Sequence, residues 1–144
     1  MLKNVPPILS PELLKALCEM GHGDELVIGD GNFPAESMGK DAIVIRADGH
    51  GVPEILDAIL TVLPLDQYSD KTVALMEVVP GDPVVPTIWD TYKALLNKHD
   101  PDHCQIEMTE RFAFYERAKK AYLIIASGET EIYANILLKK GVVK

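Results

Sequence analysis

Short apolar runs alternate with helix-like segments along most of this 144-residue chain, and the alternation constrains the fold more than any other feature. The runs at residues 42–47 and 122–126 have the length of single strands. Residues 72–79 are almost wholly apolar, which predicts a strand buried on both faces. Residues 86–99 instead carry apolar side chains at helical spacing. We therefore expect one α/β domain over residues 1–144, with a largely parallel sheet covered by helices on both faces.

Composition and charge exclude several function classes. The formal net charge is −8 and the pI is near 4.9, so the chain repels nucleic acid and anionic membrane surfaces. The N-terminus lacks the apolar core of a signal peptide, and no apolar run reaches membrane-spanning length. Cys18 and Cys104 form no CxxC pair, and each is predicted to be a small buried hydrophobe. We expect a cytoplasmic protein with neither a nucleic-acid nor a membrane partner.

Ionisable side chains flank the first predicted strand, residues 25–29, on both sides. His22 lies between two glycines before the strand, and Asp30 lies between two glycines after it. Glycine permits positive φ and leaves room around a neighbouring side chain. Since ligands of α/β sheets bind at loops beyond strand ends, we expect His22, Asp30 and the later loop residue Asp66 to be neighbours. The simpler interpretation is that His22 is exposed and Asp30 merely starts a turn.

Other kinds of site have little support. The order of helix, glycines and strand around His22 is the reverse of the dinucleotide fingerprint, and no Gly-Lys-Ser/Thr phosphate loop is present. No Gly-x-Ser-x-Gly elbow marks a nucleophile. Asp24, Asp48 and His50 could join His22 and Asp30 as metal ligands, but no HExxH or Cys/His spacing accompanies them. We expect no metal site.

Two further segments combine aromatic and polar groups. Arg111 and Tyr115 are four residues apart at the start of a predicted helix, so they share a face from which both can reach a site. The alternative is that Tyr115 packs inward with Phe112 while the charged residues are solvated. Tyr133 and Asn135 place a phenol and an amide on one short segment, which suits a polyhydroxylated ligand. The alternative is a core tyrosine followed by a turn asparagine.

Five motifs occur in order along nearly the whole chain: Gly21-His22-Gly23-Asp24-Glu25, Asp30-x-Asn32-Phe33-Pro34, Ile45-Arg46-Ala47-Asp48-Gly49, Arg111-Phe112-x-Phe114-Tyr115-Glu116-Arg117-Ala118 and Tyr133-x-Asn135-Ile136. In this order and spacing the chain resembles the family of L-fucose mutarotases and D-ribose pyranases from Ser10 to Gly141. The arginine-aromatic motif is similar to the fucose branch, since the ribose branch lacks it.

The resemblance implies an enzyme that interconverts the α and β anomers of a free sugar, L-fucose first, without a cofactor or metal. It implies that His22 is the catalytic acid/base and that Asp66 and Tyr115 have catalytic or binding roles. The implied substrate-binding residues are Asp30, Arg111, Tyr133, Ala134 and Asn135. It also implies a homo-oligomer, a decameric ring in bacterial relatives and a smaller assembly in animal ones. Asn32 and Glu36 replace histidines of some bacterial relatives, a change that concerns sugar preference.

The chemistry of anomer exchange suits these residue types. The hemiacetal opens when the anomeric hydroxyl loses a proton and the ring oxygen gains one; the aldehyde then rotates and the ring recloses. An imidazole, with an ordinary pKa of about 6.5, can give and take such protons at neutral pH. Two alternatives stay open: a ribopyranase of the same family, and a non-catalytic sugar-binding module on the same fold.

Overall fold

The computed structural model describes residues 1–144, which form five helices and six strands. The helices are α1 (Pro11–Glu19), α2 (Ala35–Met38), α3 (Val52–Val62), α4 (Ile88–His99) and α5 (Arg111–Lys119). The strands are β1 (Glu25–Gly29), β2 (Ile43–Ala47), β3 (Val73–Met76), β4 (Ile106–Thr109), β5 (Leu123–Ser127) and β6 (Ile136–Lys139).

All six strands form one sheet in the order β2-β5-β1-β6-β3-β4. β5 pairs in parallel with β1 and β2, and β3 pairs in parallel with β4. β6 lies between β1 and β3 and is antiparallel to both. Five strands therefore run the same way, which confirms the prediction of a largely parallel sheet and adds one reversed strand at its centre.

Helices cover both faces of the sheet, as predicted. Side chains of α1, α3 and α4 pack on one face in a cluster of 25 buried residues. α2 and α5 pack on the other face, where Phe33 and Phe114 belong to a cluster of 11. The strands divide their side chains between the two clusters: Leu26 and Ile28 belong to the first, and Val27 between them belongs to the second. The sheet is thus the middle layer of a three-layer α/β domain.

Helix α1 has a capped start, and one prediction made for its residues is wrong. The hydroxyl of Ser10 accepts the N–H of Leu13 and Pro11 opens the helix, as a capped start requires. The prediction that Cys18 is buried is wrong, because Cys18 is exposed. The buried stripe of α1 consists of Leu13, Ala16 and Leu17, and Cys18 lies beside that stripe.

The sheet has two edges at which strand ends meet. Asp30, Arg111 and Asn135 lie at the carboxyl edge, where β1 and β4 end and the reversed β6 begins. His22 and Asp66 lie at the amino edge, before β1 and β3. We use the names carboxyl edge and amino edge for these two regions. None of the five helices is long and apolar enough to cross a membrane.

Candidate active site

An open cavity of about 280 Å³ lies at the carboxyl edge. A monosaccharide is smaller than the drug-sized ligands that fill pockets of roughly 300–1,000 Å³, so a cavity of this size suits one sugar. Polar and apolar side chains share its wall: Asp30, Asn32, Phe33, Met76, Val79, Asp82, Arg111, Tyr115, Ile132, Tyr133 and Asn135. This set includes five of the residues implied by the resemblance.

Asp30 and Asn135 are the buried polar residues of this wall. The amide oxygen of Asn135 accepts the backbone N–H of Asp30 at 2.8 Å, which fixes the orientation of that amide. The Nδ2 group of Asn135 makes no hydrogen bond in the chain, yet no fully buried polar side-chain atom lacks a partner. Nδ2 is therefore open to the cavity as a donor beside the acceptor Asp30.

Burial also makes ionisation of Asp30 less favourable. Removal from solvent raises the pKa of this carboxyl above its ordinary value, and backbone N–H groups of Asn32, Ala134 and Phe33 offset part of the rise. One carboxylate oxygen accepts the N–H of Asn32 at 3.0 Å. The carboxylate is thus held by backbone donors while it faces the cavity.

Helix α4 holds the segment that carries Tyr133, Ala134 and Asn135. The indole N–H of Trp89 donates to the carbonyl of Tyr133 at 2.8 Å, and the Tyr92 hydroxyl donates to the carbonyl of Ala134 at 2.6 Å. Tyr133 has a φ of 57°, a left-handed conformation that few residues other than glycine adopt. Because packing against α4 stabilises this conformation, the phenol is directed toward the cavity.

Asp82 is a cavity residue that the sequence did not reveal. Its carboxylate accepts the Tyr133 hydroxyl at 2.6 Å and the N–H of Val84 at 3.1 Å. The Tyr133 oxygen in turn accepts the N–H of Val79 at 3.3 Å. Residues 80–83, Pro-Gly-Asp-Pro, indicate only a turn, and nothing in that pattern identifies Asp82 as the partner of a tyrosine.

Helix α5 begins at Arg111 and presents Arg111 and Tyr115 to the cavity. The guanidinium carbon lies 5.6 Å from the centre of the Tyr115 ring, within the range of a cation–π contact. No protein group accepts a hydrogen bond from Arg111, so its donors are free for a ligand. The inward residue of this helix is Phe114, whereas Phe112 is 66% exposed, contrary to the alternative in which Phe112 packs inward.

The amino edge holds a second polar cluster, centred on Asp66. The Nε2 atom of His22 lies 2.9 Å from Oδ1 of Asp66, and the imidazole packs against the Tyr68 ring at a centroid distance of 5.4 Å. Gly23 next to the histidine has a φ of +86°, so the expected need for glycine in this loop is met. The side chain of His22 is 46% exposed, and that of Asp66 is 3% exposed.

Hydrogen bonds keep Asp66 ionised despite its burial. Burial alone would raise the pKa of this carboxyl, but donors from Ser69, His22 and the N–H of Tyr68 lower the pKa to about 2. The hydroxyl of Ser69 donates at 2.5 Å and the N–H of Tyr68 at 3.1 Å. Asp66 is therefore an acceptor that orients the histidine.

The expectation that His22, Asp30 and Asp66 are neighbours is wrong in one part. His22 and Asp66 are in contact, but Asp30 lies at the opposite edge of the sheet. β1 separates His22 from Asp30, and its five residues span roughly 16 Å. A single copy of the chain does not bring the histidine to the cavity.

The other candidate ligands are dispersed. No three His, Cys, Asp or Glu side chains converge as a metal site would require. His50 bonds Glu54 on the surface, and Glu36 pairs with Arg46 away from the cavity, whereas Asn32 is part of the cavity wall.

Comparison with known proteins points to one family. The sequence model of the RbsD / FucU transport protein family matches residues 3–143. Fucose mutarotase of Danio rerio is 51% identical over 148 residues, which cover 99% of this chain and 95% of that protein.

Two solved structures share the whole fold. FucU from Bifidobacterium longum is 64% identical and has a TM-score of 0.96, with 99% of this chain and 100% of that one covered. The fucose mutarotase of Streptococcus pneumoniae, solved in complex with L-fucose, is 51% identical with a TM-score of 0.93 and covers the same shares. Both similarities extend over the strands and helices that form the two polar clusters.

Proposed function

This chain belongs to the RbsD / FucU transport protein family, and we propose that it is an isomerase that interconverts the α and β anomers of L-fucose. The observation that carries this proposal is the cavity at the carboxyl edge, which combines free donors, buried acceptors and an apolar wall at monosaccharide size. Full-length similarity to a fucose mutarotase solved with L-fucose supports the choice of sugar. The D-ribose alternative rests on a more distant relative, the RbsD of Bacillus subtilis complexed with D-ribose, which is 21% identical to this chain.

Each polar group of the cavity has a role in holding a sugar. Asp30 accepts hydrogen bonds from hydroxyls, and Nδ2 of Asn135 donates to a sugar oxygen beside it. Arg111 offers five donors in a rigid fork that suits two neighbouring oxygens. Tyr133 already donates its hydroxyl proton to Asp82, so it meets the sugar as an acceptor. Ala134 is fully buried and acts through the backbone of this segment.

Apolar side chains suit the methyl group of L-fucose. Phe33, Met76, Val79 and Ile132 line the same cavity as the polar groups. A 6-deoxy sugar presents one methyl among several hydroxyls, and burying a methyl contributes favourably in proportion to its area. The mixed wall therefore favours L-fucose over a sugar that is hydroxylated at that carbon.

Ring opening requires two proton transfers, and His22 is the proposed acid/base for one of them. Asp66 orients the imidazole through the 2.9 Å hydrogen bond. Tyr115, which lies in the cavity wall beside Arg111, is the proposed second group. No step needs a metal or an organic cofactor. Each step transfers only a proton, either between a sugar oxygen and the His22 nitrogen or between a sugar oxygen and the Tyr115 oxygen.

The distance between His22 and the cavity within one copy suggests a site that is shared between two copies. A general base acts within roughly 3 Å of its proton, whereas β1 separates His22 from the cavity of its own chain by roughly 16 Å. We propose that the amino edge of one copy meets the carboxyl edge of the next. Head-to-tail contacts of this kind form a ring when the rotation between copies closes, and the expected homo-oligomer, a decamer by bacterial resemblance, is such a ring.

Exposed apolar residues beside both clusters support this arrangement. Phe112 and Ile132 are exposed near the cavity, and Tyr68 and Val143 are exposed at the amino edge. Burial of such patches between copies would stabilise the assembly. We further propose a cytoplasmic location, which suits an enzyme of free intracellular sugar with unpaired cysteines.

Saturation-transfer NMR on the anomers of L-fucose tests the function. We expect the intact protein to raise the exchange rate far above that of buffer, and to act less on D-ribose. Equal rates with and without protein, together with L-fucose binding in a calorimeter, would establish a non-catalytic sugar-binding module. A larger effect on D-ribose would establish the ribopyranase.

A further inference from the structure

Two residues beyond the dyad of His22 and Asp66 complete the cluster at the amino edge. The Nζ of Lys139 donates to the Ser69 hydroxyl at 2.8 Å, and Ser69 donates to Oδ2 of Asp66 at 2.5 Å. Lys139 also lies 3.8 Å from the same carboxylate oxygen. A chain of polar contacts therefore runs from Lys139 through Ser69 and Asp66 to His22.

The backbone holds this chain of contacts in place. The N–H of Asp66 donates to the carbonyl of Lys139, and the N–H of Gly141 donates to the carbonyl of Pro64. A Cβ at position 141 would collide with the carbonyl oxygen of Leu65, so only glycine allows the two segments to approach this closely. β6 and the loop before β3 are thereby fixed to one another, so the backbone of Lys139 lies beside that of Asp66.

The contacts of Asp66 determine which nitrogen of His22 carries a proton. Both carboxylate oxygens accept hydrogen bonds, Oδ1 from the N–H of Tyr68 and Oδ2 from Ser69. An ionised carboxylate only accepts, so the Nε2 of His22 must donate to Oδ1. The Nδ1 atom makes no hydrogen bond in the chain and belongs to a half-exposed side chain. In the neutral imidazole, Nδ1 is then the free acceptor.

We propose that Ser69 and Lys139 are positioning residues that hold Asp66 so that the proton of His22 stays on Nε2, which leaves Nδ1 to exchange protons with the sugar. The claim that Nδ1 exchanges protons with the sugar rests on the proposed function. The claim that the ring proton lies on Nε2 does not, and it can be tested in the absence of sugar. In catalysis Nδ1 takes the anomeric hydroxyl proton as the ring opens and returns a proton as the ring closes.

The test combines a spectroscopic readout with anomer exchange. In protein labelled with 15N-histidine, the four histidines are distinguished by comparison with His22→Gln. We expect a His22 ring proton on Nε2 that exchanges slowly with water. Ser69→Ala and Lys139→Met should make that proton exchange faster and lower the L-fucose exchange rate about tenfold. The affinity for L-fucose should stay within about twofold.

Matched variants separate positioning from general damage. Lys140→Met removes an equal charge from the neighbouring residue, whose Nζ contacts the carbonyl of Gly141 and not Asp66, so its ring proton and rate should match the wild type. Ser69→Thr keeps the hydroxyl that Ser69→Ala removes, so its His22 ring proton and its exchange rate should both match the wild type. A ring proton on Nδ1 would overturn the inference, as would unchanged signals and rates in both Ser69→Ala and Lys139→Met. A protein that shows the Nε2 proton but no anomer exchange would instead refute the proposed function.

Discussion

The two edges of the sheet differ in whether their polar side chains are hydrogen-bonded within the chain. At the carboxyl edge, Arg111 and Nδ2 of Asn135 donate no hydrogen bond within the chain, and they face an open cavity. At the amino edge, Asp66 accepts from three donors and Lys139 completes the cluster. Free groups recognise a ligand, whereas saturated groups fix the geometry of one reactive side chain. We infer that the carboxyl edge recognises the sugar and that the amino edge supplies the proposed catalytic histidine.

The pKa values of two buried carboxyls, one at each edge, are shifted in opposite directions. Burial dominates at Asp30 and raises its pKa, so the charge there destabilises the folded chain. Hydrogen bonds dominate at Asp66 and lower its pKa to about 2, so the charge there stabilises the folded chain. A sugar hydroxyl can donate a further hydrogen bond to Asp30 and so stabilise its charge.

The largest expected effect belongs to His22→Ala. Loss of one positioned acid/base should lower the anomer exchange rate by about 10²–10⁴-fold. The affinity for L-fucose should change little, because the cavity groups that hold the sugar, Asp30, Arg111 and Asn135, stay intact. Saturation-transfer NMR and calorimetry measure the two quantities. A rate within a few-fold of the wild type would remove His22 from the mechanism.

Arg111→Lys should mainly weaken the binding of L-fucose, whereas His22→Ala mainly lowers the exchange rate. The lysine lacks the guanidinium fork, so binding of L-fucose should weaken by roughly 1–3 kcal/mol. D-Ribose, with different contacts, should suffer less. Arg46→Lys is the control, since Arg46 pairs with Asp48 and Glu36 on the surface. Equal proportional losses for both sugars would mean that Arg111 supports the site generally and does not select the sugar.

Asp66→Asn and Asp30→Asn should change stability in opposite directions at pH 7. The pKa of Asp66 falls from 3.8 to about 2 on folding. The resulting stabilisation, about 2 kcal/mol, is complete above the unfolded pKa and is lost as pH falls from about 4 to 2. Asp66→Asn should therefore lower Tm at pH 7 and flatten this acid dependence.

Asp30→Asn removes a charge whose burial is costly, so it should raise Tm at pH 7 while it weakens L-fucose binding. Thermal unfolding at fixed protein concentration compares both variants at pH 7 and pH 3. Destabilisation by both at pH 7 would contradict the contrast between the two edges.

Chelation should have no effect. Exhaustive EDTA treatment is expected to leave the exchange rate unchanged, because proton transfer alone suffices and no three ligand side chains converge. Loss of activity that one specific cation restores would contradict the mechanism.

The strands were predictable because buried parallel strands carry continuous apolar runs, as residues 123–126 do in a strand whose five residues are all buried. The grouping of His22, Asp30 and Asp66 was predicted only in part, since His22 contacts Asp66 but Asp30 lies elsewhere. His22 and Asp30 lie close in sequence, but the strand between them carries them to opposite edges. The position of β6 between β1 and β3 depends on long-range pairing that no local pattern reveals. Asp82 was missed because its turn motif explains its residue types without a site.

Hybrid assemblies test the shared site most directly. His22→Ala and Arg111→Ala chains, co-expressed with different affinity tags and purified through both, form mixed oligomers. If each site takes its histidine from one copy and its cavity from the next, random mixing should restore about a quarter of the sites. Co-expressed His22→Ala and Asp66→Ala, both altered at the amino edge, should restore none. We expect exchange in the first mixture well above the mean of its parents; a rate equal to that mean would contradict a site shared between copies.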